Sequence, residues 1–284
     1  SGVMERPRTA APPPAAAPAI PPSTGSIGPG RTQTNPIVET APSLSRGPLP
    51  ALPEKMPASL RNAAIKGQAA AEFEVGIRQL DGRGVPQNTE AGLRWLERAA
   101  ESGLAPAHFR IAGLYEKGIG VKKNLVTARR HYVAAAEKGN AKAMHNMAVL
   151  YAEGIDGKPD YKTAAEWFRR AADYGVADSQ YNLAILYARG IGVDQNILES
   201  YKWLALAAVQ GDNDAAKKRD EIGSKLDAAS LAAARNAVQS FTAQPQPDDA
   251  VTVAAPPGGW DRPAADSTPA KKPRAGSVVK VTAS

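Results

Sequence analysis

One glycine recurs along the chain without slippage: Gly67, Gly103, Gly139, Gly175 and Gly211 stand 36 residues apart. A fixed period of this length marks a solenoid, in which each unit must stack on its neighbours to bury its own apolar face. Aligned on that glycine, four copies agree closely. Four positions on stands a small residue (Ala71, Ala107, Ala143, Ser179), and eight on an apolar one (Val75, Ile111, Met147, Leu183). Next comes Gly76, Ala112, Ala148 or Ala184, and twelve on is Gln79, Tyr115, Tyr151 or Tyr187. These offsets keep one apolar face at the helical period, so the first half of each copy reads as an amphipathic helix. The tiny residues on that face let a second helix approach closely.

Fifteen positions after the marker stands another glycine, Gly82, Gly118, Gly154 or Gly190, suited to the left-handed residue that ends a helix. Gly84, Gly120 and Gly192 follow in three copies, each before a valine, whereas the third copy has Asp156-Gly157. Asn88, Asn124, Asp160 and Asn196 are residues that cap a helix start by accepting from an unpaired backbone N–H. The second helix then carries Trp95, His131, Trp167 or Trp203 at one position. Leu96, Tyr132, Phe168 or Leu204 stands beside it, and an Ala-Ala pair closes the unit. The repeat is helix, tight turn, helix.

The stretch from Ala141 to Gly154, AKAMHNMAVLYAEG, resembles the first half of the Sel1-like repeat, a relative of the tetratricopeptide repeat. Residues 162–172, KTAAEWFRRAA, resemble its second half. The resemblance implies an all-α, right-handed α/α solenoid used as an interaction surface. Its repeats would be 67–102, 103–138, 139–174 and 175–210, with capping helices at 57–66 and 211–242. The run Tyr201–Asp212, the stretch Ala215–Asp220, Leu226–Leu231 and the tail around Gly258-Gly-Trp260 are similar to the carboxy-terminal repeat region of PodJ-type polar localisation factors. That second resemblance implies repeats in the periplasm, preceded by a coiled coil and a single membrane span. Neither precedes the repeats here, and a chain opening Ser1-Gly-Val looks like a fragment. An anchor is therefore expected only upstream of these residues, and a cytoplasmic location stays open.

Proline concentrates at the two ends, where large apolar residues are too sparse to offset ordering entropy. Residues 1–56 and 243–284 are accordingly expected to be disordered tails, with Pro12-Pro-Pro and Pro21-Pro22 excluding helix and ladder alike. Trp260 stands isolated in the second tail, and Lys271-Lys272-Pro-Arg274 is a short basic knot. The net charge of +7 is spread without a basic stripe, which argues against nucleic-acid binding. The absence of cysteine excludes disulfides and thiolate chemistry. No run of 18 apolar residues offers a membrane span.

No nucleophile elbow, phosphate-binding loop, calcium loop or zinc-protease motif is present. His108, His131 and His145 fall at three different offsets, so no metal site is expected, and His131 at the tryptophan position reads as a packed ring. Glu97 and Glu101 beside Arg94 and Arg98 read as a solvated face with pairs one turn apart. An enzyme is not expected, nor a cofactor. By analogy with tetratricopeptide repeats, positions six and seven after each marker line a concave face. They hold Phe73, Phe109, His145 and Tyr181 in one column and Arg110, Asn146 and Asn182 in the next. These seven are the candidate partner-binding residues. The competing reading makes the aromatics inter-repeat core and the asparagines bonds between helices. The functional expectation is a non-enzymatic scaffold in the bacterial envelope that binds a protein or peptide segment and helps place an assembly at the cell pole. The alternative is a sensor of a peptidoglycan fragment or other small ligand, or a weak cell-wall hydrolase.

Overall fold

The computed structural model describes residues 47–155 and 157–261. Every regular element among them is a helix. The four repeats supply eight: α2 (Ala69–Asp81) with α3 (Thr89–Glu101), α4 (Ala105–Lys117) with α5 (Leu125–Glu137), α6 (Ala141–Glu153) with α7 (Tyr161–Asp173), and α8 (Ala177–Arg189) with α9 (Ile197–Val209). Before them stands α1 (Ala58–Ile65), packed on α2. After them come α10 (Asn213–Gly223) and α11 (Ala228–Gln239), both against α9, and the single turn α12 (Asp248–Val251) against α4. Each repeat helix packs on its partner and then on the next pair, which is the stacked order of a helical solenoid.

The caps sit where the sequence places them. Side chains of Asn88, Asn124, Asp160 and Asn196 accept from the N–H of Ala91, Thr127, Thr163 and Glu199. Gly82, Gly118, Gly154 and Gly190 end the first helices with φ between 65° and 89°. The small-residue positions mark the crossing within each pair. A Cβ on Gly76 would stand 2.9 Å from the carbonyl oxygen of Gly92, and one on Gly92 would stand as close to that of Gly76. In later repeats the Gly92 position is Ala128, Ala164 and Ser200, all fully buried. The Ser200 hydroxyl has no hydrogen-bond partner among the described residues. Ser200→Ala is therefore expected to stabilise the fold by about 1 kcal/mol, because a desolvated unpaired hydroxyl is removed at almost constant volume. A urea titration of the two proteins measures it.

The core runs the length of the stack. Leu96, Tyr132, Phe168 and Leu204 are all at or near zero exposure, as are Trp95 and Trp203. Arg169 ties the third repeat to the fourth: it donates to the Tyr187 hydroxyl and to Glu199 at 3.1 Å, and lies over the Trp203 ring at 5.1 Å.

The flanks differ from expectation. The predicted tails at 1–46 and 262–284 lie outside the described residues, but 47–56 and 243–261 pack on the solenoid instead of forming disordered tails. The Ala51 carbonyl accepts from Gln79 Nε2 at 2.8 Å and from Trp95 Nε1 at 3.1 Å, while Leu52 and Met56 join a cluster with Leu60, Val75 and Trp95. The downstream segment turns back at Phe241, whose ring meets Trp203 edge-on at 5.5 Å, and runs toward the N-terminal end. There Trp260, read from the sequence as isolated, packs on that same cluster. Composition predicts disorder by counting apolar residues. It cannot register a segment held by a few long-range anchors on an existing surface.

Candidate functional site

All seven predicted residues stand on the first helices of the repeats, and burial separates them. Phe73 packs on the Leu80, Leu93 and Leu96 cluster. Phe109 is half-buried, its ring 5.5 Å from that of Tyr132. His145 is fully buried, with Nδ1 2.7 Å from the Ser179 hydroxyl and its ring 5.7 Å from Phe168. The buried Tyr181 donates its hydroxyl to Asp214 at 2.7 Å, bridging to α10. Asn146 and Asn182 are each 6% exposed, and Asn146 Nδ2 donates to the Tyr132 hydroxyl at 3.3 Å. Arg110 alone of the seven is exposed, with Nη2 3.4 Å from Asp81 Oδ1.

Two of the seven, Phe109 and Arg110, line a cavity of about 230 Å³ at the junction of the first and second repeats. Leu80, Leu114 and Ile119 give it apolar walls, while Asp81, Arg110 and Lys117 put charges at its lining. Such a cavity suits one apolar side chain followed by an anionic group.

The structure also joins groups that the sequence reading keeps apart. His108 on α4 and His131 on α5 face each other with Nδ1 atoms 2.9 Å apart. That contact is a hydrogen bond only if one ring nitrogen is protonated and the other is not. Burial pulls both rings below the ordinary histidine range, His131 to about 4, and Arg130 stands near both. Tyr115 stacks on His131 and points its hydroxyl at Glu97, 3.5 Å away. Burial raises the Glu97 carboxyl, so it is not the solvated member of a surface pair. Arg94 bonds Glu90, and Arg98 crosses the helix pair to the buried Glu72 at 3.0 Å. Glu116, whose charge acts on Tyr132, is pushed up to about 8 by burial, and its Oε2 has no hydrogen bond among the described residues. No group of three metal-ligating side chains occurs among the described residues.

The sequence profile of the Sel1 repeat matches residues 69–104, 105–140, 141–175 and 177–212, together half of the chain. The chain belongs to the Sel1 repeat family. Among solved structures it is similar to a Sel1 repeat protein from Oxalobacter formigenes, at 35% identity over 57% of this chain and 47% of that one, with a TM-score of 0.53. It also matches c5321, a protective antigen present in uropathogenic Escherichia coli strains displaying an SLR fold. That match has 24% identity over 79% of this chain and 52% of that one, and a TM-score of 0.43. The matched part of this Sel1 repeat protein thus spans about half the length of either chain. No curated protein matches it. Sel1 repeat proteins are in general protein-interaction scaffolds and typically non-catalytic. In this one, no described helix is long and apolar enough to cross a membrane.

Proposed function

We propose that this Sel1 repeat protein is a non-enzymatic scaffold that captures a segment of a partner protein on the concave face formed by its first helices. The observation that carries the reading is the cavity at the first repeat junction, where the Phe109 ring and an exposed Arg110 stand side by side. The Arg110–Asp81 pair is long and about half exposed on both sides, so it is weak. A partner carboxylate can take over the guanidinium with little loss. Asn146 and Asn182 continue the Arg110 column along the stack, the direction in which the bound segment would extend. The reading places the scaffold in the bacterial envelope, helping to position an assembly at a cell pole. Its support there is the likeness of Tyr201–Asp212 and the stretches after it to PodJ-type factors.

The test is crosslinking capture from native envelopes with the full chain beside an Arg110→Glu variant. Charge reversal at an exposed position leaves folding within about 1 kcal/mol, and recovery of the bound protein is expected to fall at least tenfold. Equal recovery by both chains would remove the cavity from the reading. Recovery of cell-wall fragments in place of protein would favour the ligand sensor.

A further inference from the structure

The segment after α11 follows a defined route. Ala243 lies over Gly175, and the Gln244 N–H donates to the Asp173 carbonyl at 2.8 Å. Pro247 rides on Gly139, so close that a Cβ there would meet its ring at 2.7 Å. The Ala141 N–H, at the start of α6, donates to the Gln246 side-chain oxygen at 2.9 Å, and Asn140 Nδ2 donates to the Ala250 carbonyl at 2.7 Å. Ala250 is fully buried. At the far end Ser59 donates to the Trp260 carbonyl at 2.9 Å, and Arg78 grips both oxygens of Asp261 at 2.7 and 2.9 Å. The strap thus descends from the third repeat to α1 along the turns between repeats.

The two sides of this contact are unlike. The solenoid presents mostly donors in fixed places: Asn140 is 4% exposed, Arg78 is 9% exposed, and the Ala141 N–H belongs to a helix start. Beneath a bound chain such donors need acceptors, which sets the chemistry of whatever covers them. The strap presents mostly acceptors and is otherwise exposed, with the Asp261 side chain at 72% and residues 254–259 open to solvent. It carries Pro245, Pro247, Pro256 and Pro257 and only one turn of helix. A surface of fixed donors and bare turn glycines, covered by an extended chain held at separate points, is suited to reading backbone carbonyls and a side-chain carboxylate. The strap's apolar contribution is confined to the buried Ala250 and the Trp260 ring on the Leu60–Trp95 cluster.

We propose that this edge of the solenoid is a docking site for an extended, proline-containing protein segment with an aromatic–acidic pair at its end, and that residues 243–261 occupy it in cis. The partner displaces the strap: its carbonyl replaces that of Ala250 on Asn140, and its carboxylate replaces Asp261 on Arg78. The site is separate from the Phe109–Arg110 cavity and stands or falls independently of it.

The test uses the full chain carrying Trp260→Ala and Asp261→Ala, which loosen the strap. The probe is a fluorescent peptide of residues 241–261 added in trans. The loosened chain should bind the peptide at least tenfold more tightly than the parent, whose tethered strap competes at a high effective concentration. Adding Asn140→Asp keeps the capping oxygen that accepts from Ala143 N–H, but sets a carboxylate against the incoming carbonyl. It should cost the peptide at least another tenfold. In the parent chain, hydrogen exchange should show the strap opening while α2–α9 stay protected. Absence of peptide binding to a folded loosened chain, equal binding to both chains, loss of helicity on loosening, or exchange of strap and repeats as one unit would each overturn the proposal.

Discussion

Gly192→Ala is expected to destabilise the solenoid by about 3 kcal/mol or more, whereas the same change at Gly84 costs about 1 kcal/mol. Both glycines hold φ of 72° at the same place in the turn between paired helices. They therefore share the penalty that a side chain meets in the left-handed region. They differ in what lies beyond. A Cβ on Gly192 would fall 2.2 Å from the carbonyl oxygen of Tyr161, 2.3 Å from its carbon and 2.7 Å from the nitrogen of Lys162. All three are backbone atoms at the start of α7, so the turn of the fourth repeat rests on the second helix of the third and nothing there can rotate away. Around Gly84 nothing lies within 4 Å. Behind the first repeat stand α1, Leu52, Met56 and Trp260, and none of them reaches Gly84.

Gly120 falls between them, since its Cβ would meet the Thr89 side chain, at 2.1 Å from Cγ2. Turning the methyl aside still leaves the Thr89 Cβ at 2.7 Å, so the start of α3 must shift a little, whereas at Gly192 the obstruction is main chain at 2.2–2.7 Å. The three alanine variants should rank Gly84, Gly120, Gly192 in rising loss of stability by urea or thermal unfolding. If all three cost the same, backbone conformation rather than the seating of one repeat on the next would govern these turns.

The same turns show how far the chain could be read from its residues. Their glycines and the asparagine and aspartate caps are local signals, each acting within four residues of itself, and the helices form as those signals require. The third copy differs here too: no described atom lies within 4 Å of a Cβ on Gly157, whereas Gly120 and Gly192 are pressed against a neighbouring helix. What stayed hidden depends on distant pairing. Asp261 bonds a residue 183 positions earlier, and Ser59 bonds a carbonyl 201 positions later. Asn140 draws no attention in the sequence; the fold alone shows that its oxygen caps α6 while its nitrogen faces the strap. The candidate columns show the same limit. Helical spacing puts Arg110, Asn146 and Asn182 on one face, but whether a side chain there meets solvent or the next helix is decided by the repeat above it.

The second large effect concerns protons. His131 is held near 4 in the fold against about 6.5 when unfolded, because burial and the facing His108 disfavour its charge. Between those values the unfolded chain binds a proton that the folded chain refuses, so this group lowers stability as pH falls from 6.5 to 4, by about 2–3 kcal/mol. Glu116 acts with the opposite sign. Burial, with Glu153 adding repulsion against the partial relief of Lys117 and Lys123, raises it to about 8. The folded chain keeps a proton that the unfolded chain sheds above about 4.5, and stability falls as pH rises toward 8. Between pH 4.5 and 6.5 the two slopes oppose each other, and the parent protein conceals both.

Single substitutions separate them. The stability of His131→Phe minus that of the parent should grow as pH drops from 6.5 to 4, while Glu116→Gln minus parent should grow as pH climbs from 4.5 to 8. Groups remote from the substitution cancel in these differences, so the slope rather than the offset is the readout of denaturant titrations at each pH, with His108 read together with His131 as a pair. A flat difference for His131→Phe would mean that the histidine pair accepts a second proton in the fold. The 2.9 Å contact between the two Nδ1 atoms argues against that, since a proton on each would set N–H against N–H.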